Sequence, residues 1–127
     1  MTDHTIPSDA ELQLLQALWE QPGATVQAVH AWVEASGKAV GYTTVLKQLQ
    51  RMYAKGLVNR ERVGKQHCYR AVKDRVQTES LLIERLSQTA FAGSAIQLAL
   101  RALGQDKPNQ DEIDALESWL NAQKNDQ

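Results

Sequence analysis

"YTTVLKQLQRMYAKGLVNRERVGKQHCYR", residues 42–70, changes its apolar period partway along, and that change decides the fold. At about 100° per residue, Val45, Leu49, Met52 and Tyr53 fall on one side of a helix. Thr43, Lys47, Gln50, Arg51 and Ala54 fall on the other side, with Thr44 and Lys55 on the flank. Gly56 is a natural stop. From Leu57-Val58 the period shortens to alternation, with a turn at Val63-Gly64-Lys65 and a second extended run, Gln66 to Val72, containing Tyr69. A glycine at the turn with β-formers on both sides predicts a β-hairpin.

Two helices precede this stretch. In "PSDAELQLLQALWEQPG", Ser8 and Glu11 have capping-box spacing and Pro22-Gly23 ends the helix. Leu12, Leu15 and Trp19, with Leu18 beside them, form its predicted apolar face. In "TVQAVHAWVEASG", Thr25 is the predicted cap, Val26, Val29 and Val33 with Trp32 form the inner stripe, and Gly37 ends it. A short extended piece is expected around Ala39-Val40. Three short helices followed by a hairpin describe a winged helix-turn-helix, in which the second helix of the motif enters the major groove and the wing touches the backbone.

Charge supports that reading. Between Lys38 and Lys73 there are nine basic residues and one acid, Glu61, while the whole 127-residue chain carries −1. The stretch is therefore +8 and the remainder −9. A basic segment in an acidic protein points to a polyanion for that surface. The bland alternative is a solvated face. An ordinary solvated helix mixes both signs, whereas the outward face of the third helix carries cations and amides without a carboxylate.

Other classes find little support. No apolar run is long enough to cross a bilayer. "MTDHTIPSDAEL" lacks a basic region followed by an apolar core, so no secretory signal is expected. One cysteine, Cys68, makes no intrachain disulfide, and a reducing, cytoplasmic setting is the default. His4, His30 and His67 are scattered, and adjacent strand residues such as His67 and Cys68 face opposite ways. No metal, cofactor or catalytic constellation is expected, and the chain is read as non-enzymatic.

Past Lys73 the composition changes. "DRVQTESLLIERLSQTAFAGSAIQLALRALG" is helical with a break near Gly93-Ser94. "KPNQDEIDALESWLNAQK" opens with Asn109 and Glu112 at capping-box spacing. These helices are too few and too thinly apolar to enclose a core alone. A second copy would bury Leu82, Leu86, Phe91, Ile96, Leu100, Leu103, Leu116 and Leu120. The chain therefore divides into a winged-helix domain, 1–73, and a helical dimerisation region, 74–127. The alternative is a single long helix packed back on the winged domain. Trp19 and Trp32 are expected in the core, and Trp119 on a surface or interface.

Within the winged domain, Thr43, Thr44, Lys47, Gln50 and Arg51 are the candidates for base edges. Lysine reaches guanine O6 and N7, glutamine pairs with adenine, and a threonine methyl packs on a thymine methyl. Lys55, Arg60, Arg62, Lys65 and Arg70 suit phosphates, which position the protein without reading sequence. Tyr42 either hydrogen-bonds a phosphate or closes the core beneath the helix, and Tyr69 packs inward from the wing. The partners expected are double-stranded DNA and a second copy of the chain. A winged-helix protein–protein module and a ligand-responsive winged-helix regulator are the alternatives.

"SDAELQLLQALW", the stretch from Tyr42 to Arg70, "FAGS" and "DEIDALESWL" together resemble the penicillinase-repressor family of bacterial transcription factors over about residues 7 to 122. The resemblance implies a homodimer with an N-terminal winged helix and a C-terminal helical arm, repressing from an inverted repeat over a promoter. In the family's β-lactam branch a membrane sensor protease leads to cleavage between an Asn and a Phe of the arm. The corresponding bond here is Arg101-Ala102, so that pair is absent. In the copper branch a C-terminal cysteine cluster senses metal. This chain ends "NAQKNDQ", and copper sensing by that route is not expected. Position 47, often Thr in the family, is Lys here, which implies a different operator preference.

Overall fold

The computed structural model describes residues 6–126, so His4 and the other residues before Ile6 lie outside the described residues. The elements run α1 (Asp9–Glu20), β1 (Ala24–Thr25), α2 (Val26–Ala35), α3 (Tyr42–Lys55), β2 (Val58–Val63), β3 (Gln66–Ala71), α4 (Arg75–Ala90), α5 (Ala95–Leu103) and α6 (Gln110–Asn125). The described chain is mainly helical with one small antiparallel sheet in the order β1-β3-β2, the arrangement of a winged helix.

Local signals act where the residues place them. Ser8 and Glu11 close a capping box on α1, and Asn109 and Glu112 close another on α6. The Thr25 hydroxyl caps α2 by accepting from Ala28 N–H at 3.1 Å. α3 ends in a Schellman arrangement: Gly56 takes φ +82°, its N–H donates to the Tyr53 carbonyl, and Leu57 N–H donates to the Met52 carbonyl. The hairpin register pairs Val63 with Gln66, leaving Gly64-Lys65 as a two-residue loop with Gly64 at φ +65°.

The core of the first unit is built by α1, α2, α3 and the sheet. Leu14, Leu15, Ala17, Leu18, Val29, Val33, Val45, Leu49, Met52, Val58 and Tyr69 are all buried. Leu15 and Leu18 were expected in it, but Leu14 and Ala17 take the places assigned to Leu12 and Trp19, which sit half-buried at its rim. The α1 stripe runs through residues 11, 14, 15 and 18, one position round from the predicted one. Trp19 instead donates its indole N–H to the Lys73 carbonyl at 3.0 Å and lies under the Arg75 guanidinium. Trp32 is likewise half-buried. Tyr53 also moves outward from the predicted inner face of α3 and is 42% exposed. It stands one residue, about 100°, past Met52.

The third strand was not foreseen. Ala39-Val40 forms no strand; Ala24-Thr25 does, pairing with Tyr69 and Cys68.

The chain divides into two compact units on either side of the Leu82–Ile83 bond. α4 begins in the first unit, where Thr78 is buried and Leu81 is half-buried. In the second unit α4 ends at Ala90, and the Ser87 carbonyl accepts from both Phe91 N–H and Gly93 N–H. Ala92 and Gly93 both take positive φ, making the break expected near Gly93-Ser94. α5 is then capped by Ser94, and α5 and α6 bury no residue.

Candidate nucleic-acid interface

α3 is held from behind by Val45, Leu49 and Met52, each wholly buried, so its opposite side is left to solvent. Thr43, Thr44, Lys47, Gln50 and Arg51 all lie on that exposed side. No acidic residue occurs anywhere in α3. The five base-edge candidates therefore share one accessible helix surface.

The hairpin register sorts the wing cations by face. Arg60 is directly opposite Tyr69 and Arg62 is opposite His67. Strand alternation puts these on the side of the sheet that Tyr69 buries against the helices. The Arg60 guanidinium lies 4.0 Å from the centroid of the Tyr53 ring, a cation–π contact joining the wing to α3. Arg62 Nε donates to the Gly64 carbonyl at 3.1 Å and braces the turn. Lys65 stands in the turn itself.

A cleft of about 340 Å³ opens between α3, the start of α2 and the wing. Tyr42, Gln50, Arg60, Lys65 and His67 line it, and no carboxylate does. Tyr42 is 47% exposed and packs edge-on against His30, with ring centroids 5.9 Å apart. It is one of the residues lining the cleft and is not among the buried residues of the core.

Three of the phosphate candidates do not line that cleft: Arg62, which braces the turn, Lys55 and Arg70. Lys55 Nζ is 2.7 Å from Glu11 Oε2. Glu11 Oε1 accepts from Ser8 N–H at 2.9 Å, so both oxygens of this buried carboxylate are engaged. Burial pushes the Glu11 carboxyl up, but Lys55 and the Ser8 groups outweigh it and hold the carboxyl below its ordinary value of 4.5. The ion pair between α1 and the end of α3 was missed because residues 44 apart show no relation in sequence. Arg70 pairs with Asn59 on the face of the sheet opposite Arg60, and its guanidinium lies beside Gly23.

Among the arm residues, Leu82 and Phe91 are half-buried, while Leu86, Ile96, Leu100 and Leu103 are each 45% exposed or more. Leu116, Trp119 and Leu120 are exposed on α6. Arg101 and Ala102 are exposed in the last turn of α5. No helix among the described residues is long and apolar enough to cross a membrane.

Comparison with known proteins adds one finding. The family model described as "Penicillinase repressor" matches residues 7–122. No curated protein matches the chain.

Proposed function

The chain belongs to the penicillinase repressor family, and from that premise we propose that it represses transcription by binding duplex DNA as a homodimer on an inverted-repeat operator. The observation that carries this reading is the exposed, acid-free side of α3, whose Gln50 lines one carboxylate-free cleft together with Arg60 and Lys65 of the wing. Thr43, Thr44, Lys47, Gln50 and Arg51 read base edges from the major groove. Tyr42, Arg60, Arg62 and Lys65 engage the backbone on either side of the helix. Lys55 and Arg70 contribute less than their sequence positions suggest, one being neutralised by Glu11 and the other facing away.

The proposed division of labour is DNA binding by 1–73 and pairing by 74–127, although α4 begins in the first compact unit, which runs to Leu82. The exposed leucines of α5 and α6, with Leu82, Leu86 and Phe91, pair with those of a second copy. Two half-sites bound through one dimer gain a large effective concentration, which is lost when the arm is lost. Repression is then steric occlusion of a promoter in the cytoplasm, without catalysis, cofactor or membrane insertion. A sensor or protease that breaks the arm would relieve it, although Arg101-Ala102 replaces the family's Asn-Phe bond.

Fluorescence anisotropy tests this against a protein–protein module. A duplex selected on the chain from a random-sequence pool should contain an inverted repeat and bind saturably. With three or four phosphates neutralised per protomer, affinity should fall by about three orders of magnitude between 50 and 200 mM salt. Flat or salt-insensitive curves would favour the protein–protein alternative.

A further inference from the structure

Five helices begin on a side-chain cap: Ser8, Thr25, Ser94 and Asn109 cap α1, α2, α5 and α6, and Asp74 Oδ1 accepts from Gln77 N–H at α4. α3 does not. Its N-cap is Gly41, which offers no side chain, and the loop before it contains a second glycine, Gly37, at φ +99°. A Cβ at either glycine would meet nothing within 4 Å, so no side-chain packing there stands in for the missing cap. The turn that must meet base edges is thus the one whose own sequence does least to hold it.

It is held from α2. His30 Nε2 lies 2.7 Å from the Val40 carbonyl, one residue before the N-cap. A carbonyl only accepts, so Nε2 carries the proton and donates. The same ring packs edge-on to Tyr42, the first residue of α3. Glu34, one turn further along α2, stands 3.6 Å from Nε2, too far to replace the carbonyl as acceptor. The ring therefore grips the chain on both sides of Gly41.

We propose that His30 is the positioning residue for base readout: by fixing Val40 and Tyr42 it sets the placement of the first turn of α3, and hence of Thr43, Thr44 and Lys47. The role rests on the DNA-binding reading above. His30 needs no contact with DNA to perform it. Hydrogen bonds to base edges tolerate misplacement of only about 0.5 Å, whereas flexible cations follow a phosphate over a wider range. Loosening this turn therefore erodes discrimination and spares non-specific binding. The buried side of α3, Val45 and Leu49, is untouched, so the fold persists.

The test uses the full chain with His30→Phe, which keeps a ring without a donor, and His30→Gln, which restores a donor. Amide hydrogen exchange reads the turn directly. In His30→Phe the amides of Val45 to Lys47 should exchange faster while those of α2 keep their protection. Anisotropy with the selected duplex and a scrambled duplex of equal composition should show the affinity ratio falling about tenfold, with scrambled-duplex affinity changed far less because only the Tyr42 phosphate contact is loosened. His30→Gln should recover both. Unchanged exchange in His30→Phe overturns the proposal, as does a loss shared by both duplexes and by the amides of α2. A wild-type chain that binds neither duplex overturns the DNA reading and the readout role with it, while exchange still decides whether His30 holds the turn.

Discussion

Lys55 shows how a single residue can be diverted from the role its position suggests. It ends a basic helix, yet its ammonium is spent on Glu11, a carboxylate 8% exposed at the first turn of α1. Removing the Glu11 charge should cost about 1 kcal/mol, because Lys55 itself is half-exposed and solvent screens the pair. The pH dependence follows from the depressed folded-state pKa of Glu11. Its stabilisation is present above the ordinary carboxylate value and is lost as pH falls through the lower folded one. Urea unfolding of wild type and Glu11→Gln should show a gap near neutral pH that narrows as the pH falls below 4.5; a constant gap would assign the effect to packing. Lys47 and Lys65 separate two other roles. Lys47→Ala should relax discrimination between selected and scrambled duplexes by roughly 1–3 kcal/mol, whereas Lys65→Ala should weaken both alike. The opposite pattern in anisotropy titrations would mean that the wing, not α3, reads sequence.

At the scale of elements, α3 and the wing act as one piece. Arg60 stacks on Tyr53, and the Schellman turn at Gly56-Leu57 leads directly from α3 into β2. That turn needs a left-handed residue, which glycine supplies without strain. Gly56→Ala should therefore cost about 1–2 kcal/mol although the added Cβ would meet nothing within 4 Å. Thermal unfolding monitored by circular dichroism would check it, and an unchanged midpoint would show that the turn relaxes freely. Element by element, caps and stops were legible beforehand: Ser8, Thr25, Asn109, Gly37 and Gly56 each signal through neighbours within three or four residues. β1 was not legible. A two-residue strand has no period of its own, and it exists because Tyr69 and Cys68 present an open edge to Ala24-Thr25.

For the whole molecule, the two units differ in how they are stabilised. The first encloses a core of its own, whereas α5 and α6 bury no residue. Ile96, Leu100, Leu103, Leu116 and Leu120 stand exposed on α5 and α6, where the proposed second copy would cover them. Deleting residues 92–127 should convert a dimer into a monomer in sedimentation and weaken binding to the selected duplex severely, because each half-site then binds alone. A truncated chain that still sediments as a dimer would place the interface in the winged unit.

Sequence alone determined the order of helices, the hairpin with its Gly64 turn, the acid-free side of α3 and the likeness to a repressor family. All of these are carried by residues a few positions apart, where helical and strand periods fix which side chains share a face. Tertiary structure decided what the distant residues do. It committed Lys55 to Glu11, turned Arg70 away from Arg60, drew Tyr53 out under a guanidinium and set His30 against Val40 and Tyr42. The reason is physical: these contacts depend on how α1, α2 and the sheet pack around α3, and no periodicity along the chain encodes the distance between elements that meet only when folded.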